Sequence, residues 1–453
     1  MYSIGLDIGT TSVCGLLHNT ADGEIIKSVT LDNDSFIETE NKWEKIQDPK
    51  RLLCILKEAA DMLLSENLPV ASIGITGQMH GIVYLDKSGN PVSELKIWQD
   101  ERGNLPFKNG KTYAEYIFEK TGYPVATGYG AVTLFYDTQN GLVPDGAFVF
   151  CTIHDLAAMK MCGRTRPVVH TSDAASFGLY KIRDNAFDRS AVENLGLDYS
   201  LFPEISGNTE ILGYYNGIPV ALAIGDNQAS FLGSVSDMEK SILVNVGTGS
   251  QISCLTDTPP DDKTIDCRPL FDGHYILAGS ALAGGRAYAA LEKFLRETAR
   301  TVAGVYVESA YPAMDRLMED TGDITDPLIV NTAFSGTRSD PKKRGSINNI
   351  SAENFTVKNL CDGVMCGMVN ELKEMYDSIR TAENKEHRCL IGSGNGIRLN
   401  PALRRRFEKI FSMPLKMPEN REEAAFGASL FALCAAGVFD SINAAQKLIK
   451  YYK

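Results

Sequence analysis

The sequence predicts an α/β protein of two related domains, each a sheet with helices on both faces. Three observations predict it. Two segments align without a gap, IGLDIGTTSVCGLL from Ile4 to Leu17 and ILVNVGTGSQISCL from Ile242 to Leu255, and such self-similarity marks a repeated unit. Strand and helix patterns are mixed through both halves. The chain's 453 residues accommodate two or three domains of ordinary size.

Each repeat reads as an apolar strand, a tight Gly-Thr turn and a second strand, a β-hairpin with glycine at its turn. After the first hairpin, Arg51 to Glu66 carries Leu52, Leu53, Leu56, Ala60, Leu63 and Leu64 at helical spacing. Val70 to Thr76 then reads as a buried strand. Gly233-Ser234-Val235-Ser236-Asp237 has the small polar composition of a linker, so the expected domains are 1–235 and 236–453. Near the end, Leu403, Phe407, Ile410 and Phe411 repeat the helical pattern, behind Asn400 as N-cap and Pro401 at the first helical position.

Composition excludes several classes. With 44% hydrophobic and 23% charged residues the chain reads as an ordinary globular protein. Its net charge of −12 argues against a nucleic-acid or anionic-membrane partner, and an anionic ligand would need local positive or backbone N–H groups. No run of about 18 uncharged apolar residues suggests a membrane helix. MYSIGLDIGT lacks the basic region of a secretion signal. The ten cysteines are scattered without a C-x-x-C pair, as expected of reduced thiols in a cytoplasmic protein.

The hairpin turns point to a nucleotide. The chain has no G-x-x-x-x-G-K-[ST] run, so a P-loop is not the phosphate site. Two hairpin turns can hold phosphates between them instead: glycine lets backbone N–H groups approach closely, and hydroxyls add donors. Gly9-Thr10-Thr11-Ser12 and Gly247-Thr248-Gly249 have those residue types. Asp7, just before the first turn, is placed to orient a Mg²⁺-bound water.

DIGTT opening the chain, paired later with VGTGS, resembles the actin-like ATPases. GQMHG (Gly77 to Gly81), WQDER (Trp98 to Arg102), IGDNQAS (Ile224 to Ser230), IGSGNGIRLNPALRRRFEKIF (Ile391 to Phe411) and EEAAFGAS (Glu422 to Ser429) together resemble the FGGY carbohydrate kinases, over almost the whole chain. Ala126 to Tyr136, Thr152 to Gly163 and Thr171 to Tyr180 look more like the family's sedoheptulokinase branch than its xylulokinase branch. The resemblance implies two actin-like (ribonuclease H-like) ATPase domains flanking a central cleft, ATP and Mg²⁺, and a small-molecule sugar as acceptor. It implies sedoheptulose, phosphorylated on its terminal carbon, with xylulose or another ketose or polyol as the alternative and a non-catalytic ATP switch as a remote one. A homodimer is a family-level expectation only.

The resemblance also assigns residues. Asp226 is the expected base, with Asn227 beside it; without the family it reads as a cap or turn aspartate. Gln78, Met79 and His80 follow a buried strand, where ligands collect in α/β folds, and His80 is expected to donate to a sugar hydroxyl. Trp98 is expected to wall the pocket. Asp100 and Arg102 bond either sugar hydroxyls or each other. His154 and Asp155 join the pocket by the sedoheptulokinase likeness alone. Gly284 and Gly285 permit either close approach of a nucleotide or close helix packing. Gly394 and Asn395 resemble the adenine-side loop, and Asn400 contacts the base or caps its helix.

Overall fold

The computed structural model of the chain describes residues 1–260, 265–319, 324–337, 340, 342–383 and 385–452. Its first sheet opens with the predicted hairpin, β1 (Tyr2–Ile8) and β2 (Ser12–Asn19), extended by β3 (Ile25–Asp32). Helix α1 (Pro49–Leu64) follows, with Asp48 accepting from the Lys50 N–H at 2.8 Å and Pro49 in the first turn. Its buried face, Leu52, Ile55, Leu56, Ala59, Ala60 and Leu63, is the stripe that the periodicity predicts. The chain then enters β4 (Val70–Gly77), parallel to β1.

Two buried helices, α2 (Ile153–Met161) and α3 (Thr171–Phe177), lead to β5 (Ile211–Tyr215), β6 (Ile218–Ala221) and the short β7 (Ile224–Gly225). The sheet runs β5-β6-β4-β1-β2-β3, with β7 also on β4. Helix α4 (Asp226–Ser234) starts directly from β7.

The second sheet begins with the second hairpin, β8 (Ser241–Val246) and β9 (Ser250–Thr256), followed by β10 (Asp266–Pro269) and β11 (Tyr275–Ala281). Helices α5 (Gly284–Ala303) and α6 (Val357–Glu383) precede β12 (Cys389–Ser393). Then come α7 (Asn395–Arg398), α8 (Pro401–Phe411) and β13 (Leu415–Lys416). The order is β10-β11-β9-β8-β12-β13. In both sheets the hairpin's first strand pairs antiparallel with its partner and parallel with a later strand.

The last long helix, α9 (Glu423–Ala435), returns to the first sheet instead of staying with the second. A Cβ on Gly5 would lie 1.8 Å from the Ala425 carbonyl oxygen, and one on Gly74 1.9 Å from that of Ala428. Glycines in β1 and β4 therefore let this helix lie backbone-close on the sheet face. Buried His18 bonds the Ser429 hydroxyl through Nε2 at 2.9 Å. Helices α4 and α9 share one apolar cluster with strands of both sheets: Phe231 and Leu232 of α4, Ala428 and Phe431 of α9, Ala221 and Ile224 of the first sheet, Leu243 and Leu255 of the second. They form the joint between the two sheets. Among the described residues, no helix is long and apolar enough to cross a membrane.

Candidate active site

Three parallel strands of the first sheet end side by side. Asp7 pairs with Thr76 and Ile8 with Gly77, while Ile224 pairs with Thr76 and Gly225 with Gly77. The segments that follow these ends therefore meet: the Gly9-Thr10 turn, Gln78-Met79-His80, and Asp226 at the first position of α4. Carboxyl ends of adjacent strands are where α/β sheets gather ligands. Asp226 also stands at a helix N-terminus, where the backbone dipole favours a carboxylate.

The charges there are crowded. Burial pushes Asp226 up to about 6, although the His154 cation pulls the other way. Burial, with Asp226 and Glu422 adding repulsion, pushes Asp7 up to about 7. Asp7 Oδ1 is buried without a hydrogen-bond partner. A desolvated, unpaired carboxylate oxygen among like charges suits a divalent cation or its bound water, because hard cations take oxygen ligands. These residues fit the expected Mg²⁺ chemistry.

His80 lies in the left-handed region with φ 73°, a conformation that costs about 1–3 kcal/mol outside glycine and collects at functional sites. Ser176 holds it there: the Ser176 hydroxyl accepts from the His80 N–H at 3.1 Å, and the Ser176 carbonyl lies 2.8 Å from Nδ1. A carbonyl only accepts, so Nδ1 carries the proton. Burial pushes His80 down to about 4, so the ring is neutral near pH 7 and Nε2 is a bare acceptor. His80 therefore has no N–H free on Nε2 to donate, contrary to the expectation that it donates to a sugar hydroxyl. The ring stacks on Tyr129 at 4.5 Å. Met79 is buried against Gly225, where a Cβ would lie 2.6 Å from its Sδ.

Trp98 leaves 46% of its surface exposed and donates from Nε1 to the Thr10 hydroxyl at 3.0 Å. Thr10 in turn donates to Gln78 Oε1 at 3.2 Å, and Gln78 donates to Gln47 at 2.8 Å. The Thr10 side chain, expected to serve phosphate, thus fastens the first turn to the GQMHG segment. Thr11 is exposed, and the Ser12 hydroxyl lies 3.7 Å from the Cys14 sulfur. Asn227 accepts from Arg268 Nη1 at 2.9 Å.

Several expected ligands close on other partners. Asp100 and Arg102 are buried and bond each other (2.6 Å), and Arg102 also reaches Asp137 at 2.8 Å. Of the two readings left open, the geometry selects the ion pair, in its buried form. His154 and Asp155 are fully buried and contact no open pocket surface. Asp155 caps α2 through Thr152. His154 lies 3.1 Å from Asp173; burial opposes its charge, but Asp173, Asp155 and Asp226 outweigh burial and push it up to about 9. It is a buried cation behind the carboxylates, not a sugar ligand, because α2 faces the core.

On the nucleotide side, Gly394 has φ 81°, and a Cβ there would lie 2.7 Å from the Val246 carbonyl oxygen, so Gly394 and Asn395 sit directly over the second hairpin. Gly284 and Gly285 pack on the turn Gly247-Thr248-Gly249: the Gly285 and Arg286 N–H groups donate to the Gly247 and Thr248 carbonyls at 3.0 Å each. This is the close-packing alternative, with glycine needed because a Cβ on Gly285 would lie 2.3 Å from the Gly247 oxygen. Asn400 is buried and accepts from the Leu403 N–H at 2.9 Å, which is the helix-cap alternative.

Sequence reasoning missed Arg268, Asp173, Ser176 and Glu422 as parts of this neighbourhood. Asp173 and Ser176 lie inside a quoted motif, TSDAASFGLY, but nothing local separates a polar pocket residue from a helix-start residue. Arg268 lies in no motif.

A family model described as the N-terminal domain of the FGGY family of carbohydrate kinases matches residues 2–242, more than half of the chain. A mouse (Mus musculus) protein named sedoheptulokinase is 26% identical over 475 aligned residues, covering 95% of this chain and 97% of its own. The structure of a xylulose kinase from Rhodospirillum rubrum superposes with a TM-score of 0.84 at 19% identity, over 100% of this chain and 93% of that one. Plasmodium falciparum glycerol kinase with ADP gives 0.80 at 19%, over 99% and 92%.

Proposed function

The chain belongs to the FGGY family of carbohydrate kinases, and from that premise we propose that it transfers the γ-phosphoryl group of ATP to a terminal hydroxyl of sedoheptulose. The observation that carries this reading is the meeting of Asp7, His80 and Asp226 at the ends of three adjacent strands. The substrate reading is supported by the end-to-end likeness to the mouse relative. Xylulose is the alternative acceptor.

In this reading Asp226 lies beside the acceptor hydroxyl and takes its proton as the oxygen–phosphorus bond forms. The bond from phosphorus to the bridging oxygen breaks, and its electron pair leaves with ADP. His80 Nε2 accepts from a second hydroxyl, and the exposed indole of Trp98 covers a C–H face of the sugar. The two Gly-Thr turns hold the phosphates from the two sheets. A divalent cation bound with the nucleotide would neutralise triphosphate charge, and Asp7, with Glu422 close by, is the residue that would hold it or its water. We take residues 1–235, with α9 packed on their sheet, and the remainder of 236–453 as the two halves of the cleft, with closure excluding water.

The test is ADP release with Mg-ATP across sedoheptulose, xylulose, ribulose, fructose, glycerol and xylitol. Strong turnover on sedoheptulose supports the full reading. Preference for xylulose or a polyol retains the kinase and replaces the substrate. No sugar-stimulated ADP release removes the reading.

His80→Ala is expected to raise the sugar KM roughly tenfold or more, the equivalent of one lost hydrogen bond and its stacking wall. The ATP KM should stay within about twofold. Equal weakening of both would make His80 a structural residue.

A further inference from the structure

The neighbourhood of Asp226 receives a residue from the second sheet. Arg268 lies on β10, the edge strand of the second sheet, two residues after Asp266 and so on the same face of the strand. Its Nε and Nη2 bond Asp266 at 3.0 and 2.5 Å, and its Nη1 donates to Asn227 at 2.9 Å. The next residue along α4, Gln228, donates to the Pro269 carbonyl at 2.9 Å. Two bonds thus fix β10 over the start of α4, beside Asp226. The guanidinium is close enough to favour the ionised form of Asp226 and to disfavour protonation of His80.

A guanidinium has five N–H groups, and three are used. One remains on each terminal nitrogen, on a side chain that keeps 22% of its surface exposed. An arginine held by two anchors, with unspent donors and partial access, is preorganised to bind a ligand oxygen: its orientation is already fixed before the ligand arrives. His80 offers the opposite polarity, an acceptor without a proton. Between them they present one donor and one acceptor to a polyhydroxylated ligand.

We infer that Arg268 is an acceptor-specificity residue, contributed by the second sheet, whose free N–H groups hold an oxygen of the sugar beyond the reacting hydroxyl. The inference rests on the kinase reading and adds how the site measures its acceptor. A short polyol such as glycerol would leave those donors unpaired in a partly desolvated pocket, and sites built to hydrogen-bond a substrate oxygen discriminate strongly against analogues that lack it.

The test is steady-state ADP release on the same acceptor panel with Arg268→Leu and Arg268→Lys, with the ATP KM and melting temperature measured in parallel. Arg268→Leu is expected to raise the KM of the preferred ketose roughly tenfold or more, to narrow its advantage over glycerol, and to leave the ATP KM within about twofold. Arg268→Lys keeps the charge without the planar fork and should not restore the discrimination. If Arg268→Leu does not fold, Asp266→Asn, which loosens the anchor and leaves the arginine, should move the same parameters in the same direction. A folded variant with unchanged acceptor KM and preference overturns the inference and leaves the kinase reading intact. So does a fall in kcat alone, which would place Arg268 on the transferring phosphoryl group, or an equal loss of sugar and ATP affinity, which would make it a strap between sheets. A wild-type protein with no sugar-dependent turnover removes both readings together.

Discussion

Asp226→Ala is expected to lower kcat by at least a hundredfold, the usual effect of removing a general base, while ATP and sugar still bind. Asp226 begins α4 at the end of β7, so its backbone is set by the sheet and survives loss of the carboxylate. Isothermal titration with sugar and with Mg-ATP separates the two effects. Activity retained within about tenfold would remove Asp226 as the base. Loss of sugar binding along with activity would make its carboxylate chiefly a ligand.

The same residue fixes a pH dependence. Burial pushes Asp226 up to about 6 and Asp7 up to about 7. The base works only when ionised, so kcat/KM should fall on the acid side with apparent values in that region. The two groups interact, so the limb belongs to the pair. The linkage to stability has the opposite sign. A carboxyl whose pKa is raised on folding holds its proton more tightly in the native state, so its stabilising contribution is full below about 3.8 and is lost as pH rises through about 6. Asp226→Asn imitates the protonated form. It should melt above the wild type at pH 8, with the gap closing towards pH 4. A gap that widens on acidification would mean that Asp226 is held ionised by its neighbours.

What could be read from the sequence follows a physical division. The two hairpins were legible because an apolar run, a Gly-Thr turn and a second run are local signals, and the structure forms both at those residues. The stripe of α1 was legible for the same reason. The resemblance named the segments that meet at the sheet edge, but not the direction in which each side chain turns. His154 shows the limit: its position in a motif suggested a ligand, whereas the buried face of α2 makes it a counter-charge. The proton on His80 depends on Ser176, almost a hundred residues away in sequence. Arg268 reaches Asn227 from the other sheet, a contact made only by tertiary packing. Nor does local pattern show that α9 returns to the first sheet, because its sequence is apolar all round, as suits a helix buried on several sides.

That return carries the second large effect. Gly427→Val is expected to destabilise the protein by more than the roughly 1–3 kcal/mol of ordinary overpacking, and to lower activity even where the chain still folds. At Gly427 a Cβ would lie 1.8 Å from the Ala229 carbonyl oxygen and 2.7 Å from the Gly233 nitrogen. At Gly233 it would lie 2.0 Å from the Glu423 carbonyl oxygen. Helices α4 and α9 therefore cross backbone against backbone, and the obstructing atoms belong to no side chain that can swing away. Relief requires the helices to separate. Valine also gains less helix propensity over glycine than alanine would, at well under 1 kcal/mol, so propensity does not offset the clash. Because α4 begins at Asp226, a shift of that helix moves the carboxylate relative to the end of β4 and to His80. Misplacement of about 1 Å at a reacting centre can cost about a hundredfold in rate. The measurement is the melting temperature together with kcat and both KM values. A folded variant with wild-type melting and turnover would show that the crossing yields without moving the base, and that the position of Asp226 is set by the first sheet alone.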